Sequence, residues 1–176
     1  CEMIIKKKYK FYASHRNQLL CGKCSSWHGH RYGITVAIIP EKTVAGITML
    51  FADIDDIAER VINEYDHACL IDRNDPYFEQ MTEMQDNDER LMKFKVFDCP
   101  TSVENLAKEL FHQFVIAGLP MDEIEVQETD SSLAIYNTWE KRHEGLLGKR
   151  NLLLPARRGR KIRNSKRIPS VQGLQP

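Results

Sequence analysis

Two histidines separated by one glycine, His28 and His30, are the sharpest chemical signal in the chain. In an extended strand such residues project from one face, roughly 6.6–6.8 Å apart along the chain, so two imidazoles can converge on one metal ion. His15 ends an earlier alternating segment, on the parity of Phe11 and Ala13, and antiparallel pairing of the two segments would bring it opposite the pair. Three neutral imidazoles with no obligatory fourth protein ligand describe an open, catalytic Zn²⁺ site. Three unconnected histidines are the plain alternative. Cys24 stands four residues before His28, and a thiol beside a dication has its pKa lowered, which makes the thiolate a competent base or nucleophile at neutral pH. Cys21, three residues earlier, raises a further alternative, a structural Cys21/Cys24/His28/His30 knuckle. Against it, the Cys-to-His separation is far shorter than the usual finger loop of about a dozen residues.

Two other acidic positions could take part in chemistry. Asp66 and His67 are adjacent, and a carboxylate near an imidazole is one way to hold a histidine as a charged acid or base. Glu128 shares a parity with Ile124 and Val126, so a carboxylate falls on the apolar face of a strand. Such a group needs hydrogen-bonding partners in the core, or a ligand that offers adjacent N–H donors. Cys69 and Cys99, flanked by apolar or turn residues, read as packing thiols. Five cysteines at irregular spacings do not suggest a disulfide framework.

The elements that must position these residues can be read from periodicity. Residues 3–15 and 28–39 read as strands, the second carrying the β-branched run from Ile34 to Ile39 and stopped by Pro40, with a long loop over 16–27 between them. Ile54, Ile57, Ala58, Val61, Ile62 and Tyr65 have the spacing of one buried helical face over 53–65. Residues 72–92 are polar and acidic and read as an excursion, followed by a short strand at 93–98. A second helix opens at Pro100 to Asn105, where Thr101 and Glu104 have capping-box spacing, and it stops at Gly118 and Pro120. Strands at about 123–129 and 132–137 complete a β-β-α-(β)-α-β-β order. That is an α+β fold, a four-stranded antiparallel sheet with two helices on one face.

Lysine plus arginine and aspartate plus glutamate number 25 each, but they are unevenly placed. Residues 145–176 hold nine basic side chains and no acid, so the preceding 144 residues carry all the acids against sixteen basic groups. With scattered glycine and proline and only Leu152 to Leu154 to bury, this stretch reads as a basic tail after a catalytic domain of residues 1–144. A solvated extension explains it more simply than nucleic-acid binding does. No run approaches the roughly 20 apolar residues of a membrane span, and a soluble cytoplasmic protein is the expectation.

Taken together, Phe11-Tyr12-Ala13-Ser14-His15-Arg16, Gly22-Lys23-Cys24, His28-Gly29-His30-Arg31-Tyr32, Tyr65-Asp66-His67-Ala68-Cys69-Leu70, Pro100 to Asn105, and Gln127-Glu128-Thr129 resemble the 6-pyruvoyl-tetrahydropterin synthase / 6-carboxytetrahydropterin synthase family. The pieces recur in the family's order from residue 11 to about 137. The resemblance implies the tunnelling fold, in which subunits join their sheets into a barrel, commonly as a trimer or a homo-hexamer made of two trimers. It implies His15, His28 and His30 as zinc ligands, Cys24 as catalytic base, Asp66 and His67 as its proton-transfer partners, and Glu128 as anchor of the pterin ring. The implied substrate is 7,8-dihydroneopterin triphosphate.

A cysteine separated by three residues from the His-Gly-His element is similar to the carboxy-forming enzymes of queuosine and other 7-deazaguanine pathways. The gap here is Ser25-Ser26-Trp27, favouring 6-carboxytetrahydropterin and acetaldehyde as products over the pyruvoyl product. Two departures concern the pocket. Leu50 replaces the usual Asp or Asn before Phe51, and one extra residue at 100–105 leaves either Thr101 or Ser102 to face the substrate. A scaffolding or nucleic-acid-binding protein on the same fold is a third reading, opposed by retention of the whole residue set.

The tail should be dispensable for chemistry. Deleting 145–176 is expected to leave metal content and turnover near wild type while weakening salt-sensitive association with polyanions. Loss of turnover in a folded, truncated protein would show that the tail completes a pocket.

Overall fold

The computed structural model describes residues 3–39, 44, 46–88 and 90–137. The basic stretch and its expected boundary near residue 144 lie outside the described residues. Six strands, β1 (Ile5–His15), β2 (His28–Ile38), β3 (Ala68–Asp72), β4 (Phe94–Phe97), β5 (Met121–Thr129) and β6 (Ser132–Asn137), form one sheet in the order β4-β3-β1-β2-β5-β6. Three helices, α1 (Phe51–Asn63), α2 (Phe78–Asn87) and α3 (Val103–Ile116), lie between them in sequence. The α+β class is as expected. The four-stranded antiparallel sheet with two helices is corrected to a six-stranded mixed sheet with three helices: β1/β2, β2/β5 and β5/β6 are antiparallel, whereas β1/β3 and β3/β4 are parallel.

The two differences have separate physical causes. Strand β3 is only five residues long and almost continuously buried, as strands in parallel pairing are, so it lacks the alternation that identifies a half-buried strand. Helix α2 buries no residue and therefore lacks an apolar stripe. It starts instead from a local turn, in which the Tyr77 N–H donates to Asp75 Oδ1 at 2.9 Å and the Phe78 N–H to the Asp75 carbonyl at 2.9 Å. The cap of α3 also differs from expectation. Ser102 is its N-cap and accepts from the Asn105 N–H at 3.4 Å, so the Thr101/Glu104 capping box does not form. Leu50, at the N-cap of α1, supplies no side-chain bond there.

One face of the sheet carries the core. Odd-numbered residues of β1 and even-numbered residues of β2 and β5 point inward, placing Phe11, Tyr32, Ile34 and Ile124 against Ile54 and Ala58 of α1 and Leu110 and Phe114 of α3. Phe11 and Tyr32 stack at 5.1 Å between centroids on opposed positions of β1 and β2. Among the described residues, no helix is long and apolar enough to cross a membrane.

Phe114 is fully buried in this cluster. Phe114→Ala is expected to destabilise the protein by about 3–5 kcal/mol in denaturant unfolding, the cost of lost burial plus a cavity. A change below about 1 kcal/mol would contradict the docking of α3 on the sheet.

Candidate active site

The pairing of β1 with β2 sets three imidazoles side by side. His15 is directly opposite His28 and Ala13 opposite His30, so all three rings lie on the inner face at the end of the core. Ring centroids are 4.6 Å (His15–His28), 5.2 Å (His15–His30) and 4.9 Å (His28–His30) apart, and one ligand nitrogen from each ring lies within 4.8 Å of the others. Among the described residues no cysteine joins this group. The structure thus gathers the His15/His28/His30 set and not the Cys21/Cys24/His28/His30 knuckle.

Backbone carbonyls orient two of the rings. His15 Nδ1–H donates to the Thr101 carbonyl at 2.6 Å and His28 Nδ1–H to the Ser26 carbonyl at 2.8 Å. A carbonyl only accepts, so each Nδ1 carries a hydrogen, which leaves Nε2 as the nitrogen available for ligation in the neutral ring, the arrangement typical of metal-ligating histidine. His15 is buried, and its Nε2 has no hydrogen-bond partner among the described residues. Burial lowers the pKa of His15 against the raising effects of Thr101 and Glu128, and burial likewise lowers that of His30. Both rings are therefore held neutral and able to ligate.

Glu128 Oε1 lies 3.4 Å from His15 Nε2 and 3.9 Å from His30 Nε2. With His15 neutral and its hydrogen on Nδ1, the shorter contact sets a carboxylate oxygen against a lone pair. Only a cation or a shared proton between them makes that contact favourable. The three histidines therefore fit a divalent ion, and the orphaned, buried Nε2 is the observation that says so. The carboxylate reaches this position because Gln127 pairs with Gly33, which returns the next residue to the inner face beside Tyr32. Burial, followed by the Glu128 charge, raises the Tyr32 pKa.

Cys24 is exposed in a single 3-10 turn, Lys23–Ser25, within the connection from β1 to β2. Asp66 and His67 lie elsewhere. His67 Nδ1 is 2.8 Å from Asp66 Oδ2, and Asp66 Oδ1 accepts from the Tyr12 N–H at 2.8 Å. Partial burial opposes ionisation of Asp66, but the Tyr12 N–H and His67 prevail and hold its pKa below the usual carboxylate range. His67 has a φ of 57°, a conformation rare for a non-glycine residue and concentrated at functional positions. His67 borders a cavity of about 440 Å³ lined mainly by Tyr12, Ser14, Gly29, Arg31 and Cys69, with Ala13, His30 and Ala68 also contributing. Asp66 and His67 lie beside Tyr12, whose side chain is on the outer parity of β1, whereas the side chains of the three histidines are on the inner parity of β1 and β2.

Thr101 and Ser102 have structural bonds. Thr101 Oγ1 donates to the Arg16 carbonyl at 3.0 Å, and Ser102 caps α3. Cys69 is half-buried and accepts from Ser14 Oγ at 3.1 Å; Cys99 is half-buried, and burial raises its pKa. The carbonyls of Ser26 and Thr101 were not legible as site groups, because a backbone acceptor leaves no side-chain signal.

Comparison with known proteins places the chain in a family. Residues 4–138 match the family described as 6-pyruvoyl tetrahydropterin synthase. A 6-carboxy-5,6,7,8-tetrahydropterin synthase of Aquifex aeolicus is 29% identical over 127 residues, covering 63% of this chain and 77% of the relative. One of Rickettsia felis is 34% identical over 79 residues, 44% and 57% of the two chains. Among solved structures, an uncharacterised protein of Wolinella succinogenes aligns with a TM-score of 0.64 at 20% identity, over 78% of this chain and 99% of that one. The Caenorhabditis elegans 6-pyruvoyl tetrahydropterin synthase aligns with a TM-score of 0.57 at 19% identity, over 77% and 94%. The family match and the named relatives make this an enzyme of the pterin-synthase class. The chain belongs to the 6-pyruvoyl tetrahydropterin synthase family.

His28→Ala is expected to reduce bound metal from about one ion per chain to near zero while leaving the fold intact, as read by elemental analysis and circular dichroism. Unchanged metal content would remove the site from these three residues.

Proposed function

We propose that the chain is a zinc-dependent 6-carboxytetrahydropterin synthase, converting 7,8-dihydroneopterin triphosphate and one water into 6-carboxytetrahydropterin, acetaldehyde and triphosphate. The observation that carries this reading is the convergence of three imidazoles, one ligand nitrogen of each within 4.8 Å of the others, with the buried Nε2 of His15 left unpartnered. The named relatives, and the three-residue gap between Cys24 and His28, support the carboxy-forming branch over the pyruvoyl-forming one.

In this reading His15, His28 and His30 hold Zn²⁺, which supplies Lewis acidity to the substrate's side-chain hydroxyls and the adjacent C–H. Cys24 accepts the proton as a thiolate. Asp66 and His67 carry it onward, the carboxylate keeping the imidazole oriented. Glu128 accepts a pair of hydrogen bonds from the pterin ring edge, charge-assisted and therefore strong. Thr101 and Ser102 shape the pocket floor through the bonds already described.

Because Asp66 and His67 open onto the face opposite the three histidines, the pair that serves one Cys24 comes from a neighbouring copy. A homo-hexamer of two trimers meets that need. The chain's edge strands β4 and β6 also gain partners when copies join, since closure removes edges. A cytoplasmic location and the 7-deazaguanine pathway complete the proposal.

The test is product identification with purified protein and 7,8-dihydroneopterin triphosphate. Acetaldehyde and 6-carboxytetrahydropterin are expected, and a 6-pyruvoyl product would move the chain to the other branch. In the same assay, Cys24→Ala should lower turnover by about 10²–10⁴-fold with metal retained. Glu128→Gln should weaken pterin binding, again with metal retained. Metal loss in either variant would contradict these roles.

A further inference from the structure

The connection that carries Cys24 has almost no apolar anchorage. No residue of its 3-10 turn is buried, Cys21 and Cys24 are exposed, and Leu19 and Leu20 stand 74% and 54% exposed. Such a segment would ordinarily wander, yet a proton-transferring thiol must stay within a fraction of an ångström of its working position. What fixes it must therefore be polar.

Four bonds do so. Arg16 forks onto Asp75, with Nε at 2.6 Å from Oδ2 and a terminal nitrogen at 3.1 Å from Oδ1; the side chains are 15% and 1% exposed. The guanidinium also stands 5.0 Å from the centre of the Tyr77 ring. Gln18 Nε2 donates to Asp72 Oδ2 at 2.7 Å, and Asp72 is itself buried. Between these two anchored residues, the Asn17 N–H donates to the Cys24 carbonyl at 2.8 Å. The Arg16 carbonyl accepts from Thr101 Oγ1, whose own carbonyl holds His15. The backbone of Cys24 is thus referenced, through Asn17, to the turn that follows β3 and to the residue that orients a metal-type histidine.

We propose that Arg16 and Asp75, assisted by Gln18 and Asp72, are positioning residues that set the Cys24 thiol against the three-histidine centre. The proposal rests on the reading of Cys24 as the catalytic base. A bidentate Arg–carboxylate fork fixes distance and plane together, which a lysine's point charge does not, so Arg16→Lys keeps the charge but loses the geometry. Asp75→Asn keeps the shape but loses the charge. The same carboxylate also starts α2, so the clamp transmits the placement of that turn to the loop.

The experiment compares wild type with Arg16→Lys, Asp75→Asn and Gln18→Ala. It measures metal content, kcat and KM for 7,8-dihydroneopterin triphosphate, and amide hydrogen exchange across residues 17–26, 28–38 and 103–116. For the two clamp variants, kcat is expected to fall about tenfold or more with KM within about threefold of wild type and metal retained. Exchange should accelerate in 17–26 alone, the signature of local loosening, with Gln18→Ala moving the same way by less. Wild-type kcat and exchange in both clamp variants would overturn the proposal. So would loss of metal together with kcat at unchanged 17–26 exchange, which would assign the clamp to His15. If the clamp variants fail to fold, Gln18→Ala decides, and wild-type exchange over 17–26 in that variant overturns the proposal. If wild type itself shows no turnover, the proposed function falls, while the exchange comparison still decides the clamp.

Discussion

The three-histidine centre depends on the register of β1 against β2. Side chains alternate faces along a strand, so a slip of one residue would send His28 and His30 to the face opposite His15. The core enforces the register. Phe11 and Tyr32 must face each other under α1 and α3, and Tyr9 must face Ile34 two residues further along β1 and β2. The apolar part of the hairpin therefore chooses the alignment, and the histidines at its end inherit it. The geometry of the three-histidine group is here a by-product of hydrophobic packing in the same two strands.

The end of that hairpin is polar by necessity. Burial keeps His15 and His30 neutral, the carbonyls of Thr101 and Ser26 fix which nitrogen of His15 and of His28 bears its hydrogen, and Glu128 brings a negative charge to the same point. Without an ion, the arrangement places a lone pair and a carboxylate oxygen in contact inside a low-dielectric environment, where each group would prefer water. With a divalent cation the same groups are complementary. Asp66 and His67 solve a different problem on the far side of the sheet, where a left-handed backbone at His67 and a hydrogen bond from Tyr12 hold an exposed imidazole against its carboxylate.

How much of this was legible in the sequence follows from where the signal resides. The β1, β2 and β5 segments and helices α1 and α3 were legible because each has one dry and one wet face, and the resulting alternation or 3–4 spacing is written into residue types. The three histidines and Glu128 were legible for the same reason, since parity along a strand assigns each to a face. Strand β3 was not, because Ala68 to Asp72 is dry on both faces. Helix α2 was not, because it is wet all round. The separation of Asp66 and His67 from the histidines depended on β3 joining the sheet beside β1, so it could not be seen until that strand was placed. The Arg16–Asp75 fork joins residues 59 positions apart through a turn that leaves no periodic trace.

The account stands or falls on what occupies the space between the three imidazoles. X-ray absorption at the metal edge of the purified wild-type protein measures this directly. The account predicts zinc surrounded by three imidazole nitrogens at about 2.0–2.1 Å and completed by oxygen, with no sulfur shell. A sulfur shell at about 2.3 Å would instead place the ion on Cys21 and Cys24 and contradict the central claim.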